Sequence, residues 1–421
     1  MTPITLIVVG AGIRGAGYAE YALAHPDQVK VVGVADPSEH RRMQLANRHS
    51  VPAGNVFADW RDAAERPRFA DAVIVATPDA LHAEPAVRFA GLGYHILLEK
   101  PMAPNAEDCR RIVAAAQASG KLFAVCHVMR YTAYTRKVKE IAASGRLGEI
   151  ISIQHLEPVG YWHQAHSYVR GNWRNEQESS PMLLAKSCHD LDWILHIMDK
   201  RCTQISSFGS LVHFRPENRP QGAADRCLEC TVEPTCPYSA ARIYLQRARS
   251  GETGWPLSAL TSDVTEAGVT EALRTGPYGR CVYACDNDVV DHQVVNMQFE
   301  GGATASFTMT AFSSKRDRET RIFGTRGELY GDGRYIEVYD FLTDHTERFD
   351  VGTASDGSIL SGHGGGDLGL MTCFVAALLR NDPALILSGP AESLETHLMV
   401  FAAEQARHEK RVVDMAEYLK R

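Results

Sequence analysis

Up to about Arg130, short apolar runs alternate with stretches of helical periodicity. Thr5 to Val9 reads as a buried strand, Ala16 to Ala24 as a helix and Val29 to Ala35 as a second strand. Ala72 to Ala76, His95 to Leu98 and Leu122 to Cys126 continue the strands, with helices from His82 to Leu92 and Asn105 to Ser119. This alternation predicts a doubly wound parallel sheet. Beyond Arg130 the period changes. Ile150–Leu156, Gln204–Val212, Gln293–Phe299, Thr304–Thr310, Thr320–Gly324 and Tyr335–Tyr339 read as strands, several of them alternating, and Glu300-Gly301-Gly302 marks a tight link. An open, mainly antiparallel sheet with helices on one face follows, and a second copy would most simply cover the other face. The fold class expected is α/β: a Rossmann dinucleotide-binding domain over 1–128 and an α+β domain over 129–421. A cysteine-bearing insertion over 213–290 interrupts the second domain.

The first strand runs into Gly10-Ala11-Gly12-Ile13-Arg14-Gly15, and the second ends in Asp36. In a strand–turn–helix, the first glycine permits the turn, the second admits a pyrophosphate and the third lets helix and strand pack. The helix N-terminus offers its free N–H groups to the anion. Asp36 suits a ribose diol and would repel a 2′-phosphate, favouring NAD; Arg41 and Arg42 nearby leave NADP open. Two more strand ends face the same edge of the sheet: Thr77-Pro78, with His82 close behind, and Glu99-Lys100-Pro101. Lys100 is either a solvated loop lysine or a charge placed where substrate meets cofactor.

The helix from Pro181 to about Met198 carries Leu184, Cys188, Leu191, Leu195 and Met198 on one stripe at 100° per residue. Lys186, His189, Asp190 and Trp193 fall opposite. That face is either solvated or a charge, a base and an acid set for proton transfer.

With 421 residues, 23% charged and 45% hydrophobic, the chain has the profile of a globular enzyme. A net charge of −7 gives no support to nucleic-acid or anionic-membrane binding. Met1-Thr2-Pro3-Ile4 leads directly into a strand, and no apolar run approaches membrane-spanning length, so a cytoplasmic location is expected. Ten cysteines there would be mostly reduced, and a cluster suggests a metal before a disulfide. Cys227-Leu228-Glu229-Cys230 and Cys236 lie together in the poorly periodic segment His213–Asp291. With Cys281, or alternatively Cys285, they would make a closed tetrahedral zinc site; an iron–sulfur centre or ordinary buried thiols are the other readings.

Taken together, the glycine turn, Thr77-Pro78, Glu99-Lys100-Pro101 and Ser187-Cys188-His189-Asp190-Leu191-Asp192 resemble the glucose–fructose oxidoreductase/inositol dehydrogenase/MocA family over essentially the whole chain. The resemblance implies NAD(P)-dependent oxidation or reduction of sugars, inositols or related polyols, in homodimers or homotetramers. It implies that Lys100 lies between nicotinamide and substrate, before a commonly cis Pro101, and that His189 accepts or relays the proton. Many inositol dehydrogenases have an aspartate four residues before this histidine; here Ala185 stands there, so Lys186 and Asp190 are the candidates to orient it. The segment Tyr168–Arg174 looks like the family's substrate- and cofactor-contacting loop. Tyr161, His163, Arg170, Trp173 and His363 are candidate substrate contacts. Three functions compete: a dehydrogenase, a redox-neutral glycosidase working by oxidation, elimination, hydration and reduction, and a non-catalytic NAD-sensing regulator.

Overall fold

The computed structural model describes residues 2–314, 316–352 and 362–420. Its first sheet has six parallel strands: β1 (Ile4–Val9), β2 (Val29–Ala35), β3 (Val56–Phe57), β4 (Ala72–Val75), β5 (His95–Leu98) and β6 (Phe123–Val125), in the order β3-β2-β1-β4-β5-β6. Strand order reverses between β1 and β4, the switch point at which α/β sheets bind ligands. Helices α1 (Ile13–Ala24), α2 (Glu39–His49), α3 (Ala83–Gly91) and α4 (Ala106–Ser119) cover its faces. The polar helix α2 went unread in the sequence because it buries only Leu45 and Ala46.

The second sheet has nine strands: β7 (Ile150–Pro158), β8 (Cys202–Ser210), β9 (His292–Phe299), β10 (Thr304–Thr310), β11 (Glu319–Gly324), β12 (Gly327–Gly331), β13 (Tyr335–Asp340), β14 (His345–Asp350) and β15 (Val413–Asp414). Their order is β14-β13-β12-β11-β7-β10-β9-β8-β15, antiparallel throughout except for the central β7–β10 pair. Gly301 and Gly302, both at positive φ, close the β9–β10 link where the sequence places it. Three of these strands lacked a signal: β12 is bracketed by glycines, β14 is an edge strand with no buried residue, and β15 is only two residues long.

Helix α5 (Ala133–Ala143) leads into this half, and α6 (Met182–Met198) lies against its sheet. Nearly every residue of α6 is buried, including His189, Asp190 and Asp192. Solvent is therefore not what its polar arc faces. The segment after β8 is built mostly from single turns, with one longer helix, α7 (Glu266–Thr275), and its own small core around Tyr244, Leu257 and Leu273. Helices α8 (Gly362–Arg380) and α9 (Pro390–Glu409) return to the first sheet: Leu370, Met371, Phe374 and Val375 pack in one core with Leu6, Val8 and Tyr18.

Candidate active site

The glycine turn sits at the carboxyl end of β1. Gly10 has φ 93°, and a Cβ there would lie 2.4 Å from the Ala76 carbonyl oxygen; one on Gly15 would lie 1.9 Å from the Gly10 oxygen. These two glycines are dictated by backbone contact. At Gly12, by contrast, a Cβ would meet nothing within 4 Å, so the space before α1 is free for a pyrophosphate. Ile13, the first residue of α1, is exposed at this edge. Asp36 accepts from the Ala11 N–H at 2.7 Å and the Ser38 N–H at 2.8 Å, one on each oxygen, which aims its remaining lone pairs at the same edge. This donor set fits a dinucleotide. Thr77 and Pro78 follow β4, and the His82 ring bridges the Thr77 carbonyl (2.8 Å) and the Pro101 carbonyl (2.7 Å), tying the two loops together.

Arg14 ties this wall to the other half of the molecule. Its guanidinium donates to Glu99, to Tyr18 and, at 2.5 Å, to Asp367 of α8. Burial alone would raise the Glu99 carboxyl, but Arg14 and Lys100 outweigh it and hold it below its usual range. The Glu99 carboxylate also accepts from the Lys100 N–H, and the Lys100–Pro101 peptide is cis. Lys100 Nζ donates to the Ala185 carbonyl at 2.6 Å, so the ammonium is anchored on α6 one turn from His189.

His189 is buried, and neither ring nitrogen has a protein partner. Its ring centroid lies 5.8 Å from that of His127 and 5.7 Å from that of His363. Burial, then Lys100, the two imidazoles and Arg318, push it well below the ordinary histidine range, so it is neutral and free to accept a proton. His363 begins a left-handed run with Gly364 and Gly365. That kink lets its Nδ1 lie 3.0 Å from Asp367 Oδ2. An Asp–His pair therefore exists in this cleft, on a different histidine from the one the sequence suggests.

Asp190 and Lys186 do not orient His189. Asp190 accepts from Arg318 at 2.5 Å and contacts His155 Nε2 at 3.1 Å. Lys186 Nζ lies 3.0 Å from Glu157, which also pairs with Arg318 at 2.9 Å. At 100° per residue Asp190 sits about 100° around the helix from His189, and the pair with Lys186 faces β7 and residue 318 rather than Lys100. On its other flank Asp192 takes a bidentate Arg130, at 2.7 and 2.8 Å. Glu157, Arg318 and Asp367 escaped the sequence reading. For Glu157 a signal existed: Ile153 faces inward, so His155 and Glu157 must too, and a carboxylate at an inward strand position calls for a cation.

The other candidates scatter. Trp173 donates to Asp79 at 3.2 Å and lies at the mouth of the cleft, next to the buried Tyr168. Tyr161 is partly exposed near Tyr238, and His163 packs in a ring cluster with Trp255. Arg170 is turned out of the cleft: it donates to the Arg280 carbonyl (2.7 Å), the Tyr238 carbonyl (2.8 Å) and Cys227 Sγ (3.4 Å). Cys227, Cys230, Cys236 and Cys281 line one small cavity with it, whereas Cys285 turns its thiol to the Cys281 carbonyl.

A dinucleotide edge facing a buried, unpartnered histidine and an anchored lysine defines an oxidoreductase of the Rossmann class. The chain belongs to the Gfo/Idh/MocA oxidoreductase family: the description "Oxidoreductase family, NAD-binding Rossmann fold" matches residues 4–127, and "Oxidoreductase family, C-terminal alpha/beta domain" matches 139–415. It is 30% identical over 214 residues to 2,7-anhydro-N-acetylneuraminate hydratase of Escherichia coli, covering 50% of this chain and 54% of that protein. With scyllo-inositol 2-dehydrogenase (NADP(+)) IolU of Bacillus subtilis it shares 36% over 94 residues, 22% of this chain and 28% of the relative. The chain spans about half the length of the curated relatives it matches first. An oxidoreductase from Agrobacterium radiobacter, solved with NAD+, L-tartaric acid and magnesium, superposes with a TM-score of 0.72 at 14% identity over 99% of both chains. No helix among the described residues is long and apolar enough to cross a membrane.

Proposed function

We propose that this protein transfers hydride between NAD and a hydroxyl-bearing carbon of a sugar, inositol or related polyol. The observation that carries the reading is His189: a neutral imidazole, buried and without a partner, beside an ammonium fixed on the Ala185 carbonyl. Bound NAD supplies the hydride acceptor. His189 takes the hydroxyl proton, and Lys100, which has two N–H groups left after bonding Ala185, holds the oxygen and offsets its developing negative charge. Arg318 and Lys186, each held by Glu157, form a charged wall suited to a hydroxylated or acidic substrate. Asp36 favours NAD over NADP, although IolU is named for NADP(+). Pairing of the open sheet faces, which carry Gln154, Arg321 and Glu328, into a homodimer or homotetramer is part of the same proposal.

One observation favours a second reading. The Asp367–His363 pair supplies another base in the same cleft. Redox-neutral glycoside cleavage needs two such groups: one for the hydroxyl proton, one for the acidified C–H. A pure NAD sensor needs neither His189 nor Lys100 in these positions, which argues against the regulator. The test is a panel of sugars, sugar acids, inositols and glycosides with NAD and NADP in parallel, monitoring NADPH or NADH and aglycone together. Stoichiometric reduced cofactor supports the dehydrogenase, and aglycone without it the glycosidase. No turnover on any class refutes both.

A further inference from the structure

We infer that Cys227, Cys230, Cys236 and Cys281 hold one zinc ion, and that this ion braces the substrate loop through Arg170. Three of the thiols come from consecutive single turns, Cys227–Glu229 and Glu233–Thr235, each followed by a cysteine in extended conformation. The fourth is brought alongside by the Arg226–Arg280 bridge and by the Cys281 N–H donating to the Asp225 carbonyl at 2.8 Å. All four are free thiols on one cavity of about 20 Å³. That is room for a single ion. In the described residues no three of these sulfurs lie within 4.8 Å of one another, while a tetrahedral site with Zn–S near 2.3 Å sets them about 3.8 Å apart. Loading therefore draws some of these sulfurs closer together.

Arg170 is the independent observation. Its side chain is 1% exposed and lines the same cavity, yet Nη1 has no partner. Its partners are two carbonyls, the Cys227 sulfur and the Tyr244 hydroxyl, and no carboxylate among the described residues pairs with it. A buried guanidinium without a counter-charge is costly by several kcal/mol. Four thiolates on one Zn²⁺ carry two net negative charges, which supply what Arg170 lacks. Two further buried N–H groups beside the cavity, Arg226 Nε and Arg280 Nε, are also without partners. Such a clamp would sit beside the small core around Tyr244 and Leu257, which contains Cys227. Arg170 ends the segment Ala165–Arg170, which carries Tyr168 into the cleft, so metal binding fixes that loop.

The test starts with elemental analysis of the full chain purified without chelators, where about one zinc per chain is expected. No metal, or iron with acid-labile sulfide, overturns the assignment. Cys236→Ser should reduce bound zinc at least tenfold, and Cys285→Ser should leave it unchanged; the reverse pattern overturns the ligand set. Stripping the zinc from the folded wild type with a thiol reagent and chelator should speed amide exchange across 161–170 at least tenfold. Unchanged exchange there overturns the brace.

Discussion

Lys100→Met removes the ammonium while keeping most of the side chain's length. In the folded protein Nζ makes one bond, to the Ala185 carbonyl at 2.6 Å, so the structural cost is about 1 kcal/mol. Glu99 keeps its partner Arg14, and the NAD edge is untouched. What disappears is the donor aimed at the substrate oxygen, and removing one such donor costs about 3–4 kcal/mol of transition-state stabilisation, a fall in kcat of about 10²–10³. A second effect has a defined sign. The Lys100 charge helps keep His189 unprotonated, so its loss raises the pKa of His189 and moves the acid limb of the rate profile to higher pH. The assay is NADH formation at saturating NAD and substrate from pH 5 to 9, with NAD affinity measured separately. A kcat within tenfold of wild type, or a large fall with an unmoved acid limb, would refute the role given to Lys100.

Asp367→Asn should slow aglycone release at least ~10²-fold through His363, with a smaller effect on NADH formation from a free polyol; equal loss in both assays would mean that Asp367 acts only through Arg14. Asp190→Asn should lower stability by about 3 kcal/mol in urea unfolding, because Arg318 loses a buried counter-charge, while kcat of the folded fraction stays within tenfold. Burial takes the His127 imidazole down to about 4, so between pH 6.5 and 4 the unfolded chain binds a proton that the folded chain refuses. The stability gained from a neutral His127 is therefore complete above pH 6.5 and falls with pH, by about 3 kcal/mol at pH 4. His127→Phe should flatten that slope in denaturant titrations.

Features set by the local backbone were legible in the sequence. Gly10 and Gly15 are imposed by contacts within one strand–turn–helix, and Asp36 follows from the length of that unit. The α6 wheel separates an apolar stripe from a polar arc, but angle alone does not name the neighbour. Asp192 meets Arg130 from 62 residues upstream and Asp190 meets Arg318 from 128 residues downstream, so both partners depend on how the halves pack. Arg170 misled for the same reason: a loop arginine looks available for substrate until its burial beside the cysteines is known. His363 is legible as a candidate contact, but its bond to Asp367 depends on a left-handed backbone run that Gly364 and Gly365 continue.

The return of α8 and α9 to the first sheet bears on how the coenzyme comes and goes. Apolar residues of α8 share a core with β1 and α1, Leu394 and Phe401 of α9 pack on the core that holds Ile7 and Val9, Arg14 is ion-paired to Asp367, and the Met102 N–H donates to His397 at 2.9 Å. Swinging the two walls apart would rupture that continuous interior, unlike a clamshell enzyme whose halves part at each turnover. A nucleotide would then enter and leave along the exposed lip near Ile13, with no wide parting of the walls.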